Sequence, residues 1–210
     1  MFKTIKEEVI EELVEKKSKF IASVFYIESV EEAEQKLEQI KKKYHDARHN
    51  CYAYRIIKEN SVIEKSSDDG EPSGTAGSPM LTILSKNDIA NILVVVTRYF
   101  GGVLLGTGGL VRAYSDVTSN ALKRSRIITM ELGYELEVNL DYSEVEKFKY
   151  FCKKNRIDVK KEEYLEKVKI IVECSEENKD RIQQKNIKLE EKSLKIRVIR
   201  KKYVEKNIEK

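Results

Sequence analysis

Two segments concentrate the residue types that acid–base chemistry and anion binding draw on: residues 66–80 read SSDDGEPSGTAGSPM and residues 97–114 read TRYFGGVLLGTGGLVRAY. In the first, Asp68, Asp69 and Glu71 place three carboxylates within four positions, a group suited to serve as a base or to hold Mg²⁺. Beside them, Gly74-Thr75-Ala76-Gly77 leaves backbone N–H groups accessible because the side chains are small. In the second, Arg98 and Tyr99 come just before Gly101 and Gly102, and Gly106-Thr107-Gly108-Gly109 precede an expected helix that carries Arg112. A helix start presents unpaired N–H groups and partial positive charge, so it accepts a phosphate or a carboxylate.

These residues support more than one reading. Gly-rich segments also serve as tight connections, and neither nucleotide signature occurs: there is no GxxxxGK[ST], and Gly106-Thr107-Gly108 lacks the third glycine of GxGxxG. A third reading is internal: Arg98 or Arg112 neutralises Asp68, Asp69 or Glu71 and locks the two segments into an architectural clasp. His45 and His49 in HDARH have the spacing of two imidazoles on one metal. Asp46 stands where a zincin has glutamate, however, and no third ligand follows, so no metal site is expected. Cys51 lies two residues past His49, and a strand would point both to one face as nucleophile and base. The preferred reading is a buried cysteine beside a satisfied histidine. No motif implies a cofactor.

The elements that position these residues follow from patterning. Thr4 to Val14 and Ser18 to Phe25 suit strands, with a turn at Lys16 and Lys17. Val30, Ala33, Leu37, Ile40 and Tyr44 recur at helical spacing behind a Ser29 cap. Cys51 to Ile57 and Ser61 to Lys65 suit strands, and ILVVVT (92–97) suits a central strand covered on both faces. After Gly109, Leu110, Ala113, Tyr114, Val117, Ala121 and Leu122 share one side of a helix. Beyond it, the strand at Tyr134–Leu140, the helix at Val145–Cys152, strands at Ile157–Tyr164 and Val168–Val172, a helix at Glu176–Lys185 and a strand through Leu194, Ile196 and Val198 spell βαββαβ, a ferredoxin-like module. The boundary is expected near Ile128 to Gly133, giving domains over 1–130 and 131–210.

Composition bounds the classes. The 210 residues carry 40 basic and 36 acidic side chains for a net charge of +4, a weak overall field. Positive charge is local: Lys185 to Lys210 holds ten Lys/Arg against four Asp/Glu. Lys195 and Arg197 alternate with apolar residues, and Arg200, Lys201 and Lys202 extend a patch that either meets RNA phosphates or is simply solvated. The three cysteines, Cys51, Cys152 and Cys174, are too few for a disulfide framework, and the N-terminus has acids where a signal peptide needs an apolar run. No run is long enough to span a bilayer, so the expectation is a cytoplasmic protein with no membrane partner.

DDGEPSGTAGSPM followed by VVVTRYFGGVLLGTGGLVRAY resembles the signature of the YigZ/IMPACT family. His49-Asn50-Cys51, Ala53-Tyr54 and Lys17-Ser18-Lys19-Phe20-Ile21 fit the same pattern. The resemblance is strong from about Phe2 to Ile128 and rests on size and strand order beyond. It implies an α+β protein of two domains: an N-terminal two-layer α/β sandwich of the ribosomal small-subunit protein type and a C-terminal ferredoxin-like domain similar to the last domain of elongation factor G. Eukaryotic members are linked to translational control but carry a partner-binding domain that this chain lacks. The expected function is therefore a regulatory protein that binds RNA or the ribosome, with no defined reaction. The competing expectation is a small-molecule enzyme that holds a phosphorylated or carboxylate ligand between the two Gly-rich segments.

Overall fold

The computed structural model describes residues 1–58, 61–183 and 195–206. It divides the chain into two units, one spanning Phe2–Ile128 and the other taking Met1 with Thr129–Lys210.

In the first unit, β1 (Phe2–Ile5) makes a parallel bridge from Lys3 to Ile89. The sheet proper comprises β2 (Val9–Glu15), β3 (Ser18–Tyr26), β4 (His49–Lys58), β5 (Ser61–Ser67) and β6 (Ile92–Tyr99) in the order β2-β3-β6-β4-β5, with every pairing antiparallel. The single strand expected over Thr4 to Val14 is thus two strands, interrupted by Lys6, Glu7 and Glu8. Lys16 and Lys17 adopt φ of 44° and 65°, a pair of left-handed residues whose twist suits a two-residue hairpin between β2 and β3.

The apolar run in β6 is unbroken because helices cover both of its faces. Ile92, Val94 and Val96 pack with α2 (Gly77–Lys86) and α3 (Gly106–Arg124). Leu93 and Val95 pack on the other side with Ala33 and Ile40 of α1 (Val30–Lys43), whose cap Ser29 accepts from the Glu32 N–H at 3.2 Å. The α+β class and the two-domain architecture are those the resemblance implies, and the sheet of the first unit carries helices on both sides. α2 was not expected. Its opening Gly-Ser-Pro looks like turn punctuation, but Pro79 sits in a first turn where no carbonyl needs its missing N–H.

The second unit contains β7 (Ile127–Leu140), α4 (Val145–Lys154), β8 (Asp158–Tyr164), β9 (Val168–Ser175), α5 (Glu176–Gln183) and β10 (Lys195–Glu205). β10, β7, β9 and β8 adjoin in that order and are antiparallel, the 4-1-3-2 arrangement of a ferredoxin-like module. Leu136, Val138, Ile170 and Val172 of the sheet pack with Phe148, Cys152 and Ile182 of the helices. Leu194, Lys185 and the rest of the segment between α5 and β10 lie outside the described residues. No helix among the described residues is long and apolar enough to cross a membrane.

Candidate functional site

Three consecutive residues at the start of β4 hold the carboxylate turn. His49 donates from Nδ1 to the Asp69 carbonyl at 2.8 Å, the Asn50 N–H donates to Asp69 Oδ2 at 2.7 Å, and the Cys51 thiol donates to the Asp68 carbonyl at 2.9 Å. Asp69 is held at φ 43°, and its Oδ1 lies 3.5 Å from Lys41 Nζ. Asn50 is fixed in turn by the Thr97 hydroxyl, 2.7 Å from its Oδ1. Thr75 folds its own turn shut by donating its hydroxyl to the Pro72 carbonyl at 2.6 Å.

Asp68 already occupies the place an external anion would take. Its Oδ1 accepts from the N–H groups of Ala76 and Gly77 at 2.9 Å each, and its Oδ2 from Gly74 at 2.8 Å, so the carboxylate caps α2. Burial alone would raise its pKa, but the three N–H donors outweigh burial and the net shift is downward. A depressed folded pKa makes its stabilisation complete above the ordinary aspartate value of about 3.9, to be lost as pH falls through the folded pKa. Asp68→Asn should therefore destabilise the protein by about 1–2 kcal/mol near neutral pH. Urea titrations of both proteins at neutral and acidic pH check this, because the difference between them should shrink on acidification.

Glu71 joins the two segments. Its side chain is 3% exposed and that of Arg98 6%, and Arg98 Nη1 donates to Glu71 Oε1 at 2.6 Å. The Tyr114 hydroxyl, from the third turn of α3, donates to the same oxygen at 2.9 Å, and the Cys51 thiol reaches that hydroxyl at 3.3 Å. Arg98 Nη2 donates to Ser18 Oγ at 3.3 Å, and the Gly101 N–H reaches the same Oγ at 3.3 Å. The guanidinium carbon lies 5.4 Å from the Phe20 ring centroid and 5.6 Å from that of Phe100, where the ring faces favour a cation. Arg98 Nε is buried with no acceptor among the described residues.

The protonation states fit a structural role. Burial, above all, pushes the Cys51 thiol up to about 12, so it carries almost no thiolate at neutral pH. Burial likewise drives the Tyr114 phenol far upward. Tyr99 lies apart from this cluster: it donates to Asp46 Oδ1 at 2.7 Å, and that bond raises the phenol to about 12.

Other expected residues are placed differently. Gly106, Thr107, Gly108 and Gly109 form the first turn of α3 instead of a loop ahead of it, and the N-cap residue, Leu105, makes no side-chain capping hydrogen bond. Gly106 to Gly108 are exposed, as are Gly102 and Arg112, the last on the outer side of the helix. Arg112 takes no part in the ion pair. Gly101 packs backbone to backbone against the β2–β3 hairpin, where an added Cβ would lie 1.9 Å from the Lys17 carbonyl oxygen.

The basic strand is less bare than its sequence. A bulge at Ile199 flips the alternation of β10, so Arg197, Arg200 and Lys202 all turn to the face that carries the glutamates of β7 and β9. Arg197 pairs with Glu137 at 3.0 Å, Arg200 with Glu135 at 2.6 Å and Lys202 with Glu173 at 2.5 Å. Lys201 points the other way, 6.0 Å from the Tyr134 ring centroid, and Lys195 is exposed at the start of the strand.

Sequence reading missed Ser18, Asn50 and Tyr114 as members of the cluster. Tyr114 was hidden because its ring fits the apolar side of α3. Its hydroxyl was the available signal, since a buried phenol needs a partner.

Fold and site together define a two-domain α+β protein whose first domain pins two loops and a helix around one buried carboxylate. A family model described as the Impact N-terminal domain matches residues 16–122, and one described as a domain of unknown function (DUF1949) matches residues 138–185. The chain belongs to the IMPACT family. It is 40% identical over 165 residues to IMPACT family member YvyE of Bacillus subtilis, covering 79% of this chain and 76% of that protein. It is 44% identical over 117 residues to IMPACT family member YigZ of Escherichia coli, covering 55% and 56%. A crystal structure of a hypothetical protein superposes with a TM-score of 0.64 at 30% identity, covering 95% of this chain and 97% of that one.

Proposed function

We propose that this chain is a binding protein of the translation apparatus that contacts RNA or the ribosome and carries out no reaction at the two loops. The observation that carries this reading is that the polar groups of the loops are already taken up by partners within the first unit. Arg98 is held by Glu71, Asp68 caps α2, and Asp69 is bound by the Asn50 N–H. A base, a Mg²⁺ ligand or an anion clamp built from them would first have to break bonds that hold the fold.

Family membership supports the choice of partner, since the resemblance links relatives to translational control. The contact surface in this reading is β10, where Lys195, Arg197, Arg200, Lys201 and Lys202 lie within eight residues. Three of these cations already face glutamates, so only a few phosphate contacts are expected. Association with a labelled oligo-uridine or with ribosomes should then weaken about tenfold between roughly 50 and 200 mM salt. Lys195→Glu with Lys201→Glu should weaken it further. Absence of both RNA binding and ribosome co-sedimentation at low salt would sink the proposal.

The small-molecule reading keeps one support, the exposed and uncapped first turn of α3. Arg98 and the three carboxylates no longer favour it.

A further inference from the structure

The face of the first unit that presents the glycine segment is apolar where charge would be ordinary. Phe100 is 47% exposed, Val103 39%, Leu104 83% and Val111 37%. The first three belong to one short loop, and Val111 is exposed on α3, seven residues beyond Leu104. Arg98 lies over the Phe100 ring, so this aromatic is held in position with much of its surface open. Isolated exposed apolar residues need no explanation, but a contiguous group on a loop braced from beneath by a buried ion pair marks an interaction surface.

Its charge is mostly positive. From Ile89 to Ser115 there is no acidic residue, and Arg98, one of the two arginines in that stretch, is neutralised internally. The other, Arg112, is exposed on the same outer side of α3 as Val111. The hairpin turn that Gly101 packs against adds Lys16 and Lys17, both exposed. The acids that adjoin these segments in sequence are Glu15, Asp88 and Asp116, the last one helical turn beyond Arg112.

We infer that the Phe100–Leu104 loop, with Val111, Arg112, Lys16 and Lys17, is a docking surface for an acidic protein segment that carries large apolar anchors. Charge complementarity selects an anionic partner, and the character of the patch selects among anionic partners. RNA bases stack on aromatic faces, but three of the four apolar residues are aliphatic and the ring of the fourth is partly covered by Arg98. An anionic bilayer would bury the loop in hydrocarbon beside the N–H groups of Gly106 to Gly108, which hydrocarbon cannot satisfy. Carboxylates of a peptide satisfy those donors while its apolar side chains cover Val103 and Leu104. The inference does not depend on the RNA reading, which places its contacts on β10.

A random 12-residue peptide library selected on the wild-type protein and counter-selected on Leu104→Asp tests this directly. Leu104 is largely solvated, so the variant should fold with unchanged urea stability. Peptides that depend on the loop should be net acidic and carry at least two large apolar residues. One synthesised from the consensus should bind Leu104→Asp and Lys16→Glu/Lys17→Glu at least about tenfold more weakly than wild type. Failure to recover loop-dependent peptides, or recovery of basic or uncharged ones, overturns the inference. So does a Leu104-dependent loss of oligo-uridine binding or of phosphatidylserine vesicle binding in place of peptide binding. Loss of RNA binding in the β10 variant alone bears on the other proposal and leaves this one standing.

Discussion

Glu71→Ala is expected to destabilise the protein by about 3–5 kcal/mol, the ordinary cost of leaving one member of a buried ion pair without its partner. The guanidinium of Arg98 would stay buried at 6% side-chain exposure with its neutralising oxygen gone, and the Tyr114 hydroxyl would lose its acceptor. Glu71→Gln should recover part of the loss, since an amide oxygen still accepts from Arg98 and Tyr114 but does not balance the charge. Replacing both members with apolar side chains of similar size, Arg98→Met with Glu71→Leu, should cost far less than either single change. Urea unfolding of wild type, Glu71→Ala, Glu71→Gln, Arg98→Met, Glu71→Leu and the double variant measures this. Full stability in Glu71→Ala would mean that the pair does not hold the loops.

Gly101→Ala carries the second largest expected effect. The new Cβ would stand 1.9 Å from the Lys17 oxygen, 2.0 Å from its carbonyl carbon and 2.5 Å from the Ser18 nitrogen. All three are backbone atoms, so no side chain can swing aside and the hairpin must part from the loop. That movement also removes the Gly101–Ser18 contact and disturbs the Ser18–Arg98 bond. A loss of about 3 kcal/mol or more follows. Gly108→Ala is the matched control: among the described residues its Cβ would meet nothing beyond its own helix backbone within 4 Å, so replacing a helical glycine there should stabilise by about 0.5–1 kcal/mol. Equal midpoints for the two variants would contradict the close approach at Gly101.

The fold was legible where periodicity was strong. ILVVVT suited a strand covered on both faces because it is short, unbroken and rich in β-branched residues, and the alternation beyond residue 134 set out the ferredoxin-like order. α2 was hidden because glycine and proline in a first turn look like a loop. The Gly106–Gly109 segment was read as a loop ahead of α3 for the same reason. At the site, the sequence offered two arginines and three carboxylates without saying which would meet. That choice depends on the β4–β6 register, which sets His49 opposite Arg98 and lets β4 hold the 68–69 turn, and on α3, which carries Tyr114 to Glu71 and leaves Arg112 outside. The facing of the basic strand was lost to a single unpaired residue, Ile199, since one extra residue exchanges the two faces of everything after it.

The measurement that bears most directly on the clasp combines stability with binding in one variant. Arg98→Met with Glu71→Leu, assayed for urea unfolding and for salt-sensitive association with ribosomes, should remain within about 1–2 kcal/mol of wild type and associate as wild type does. A double variant that folds normally but no longer associates would place Arg98 and Glu71 in the binding site itself, and the assignment of the pair to structure alone would be wrong.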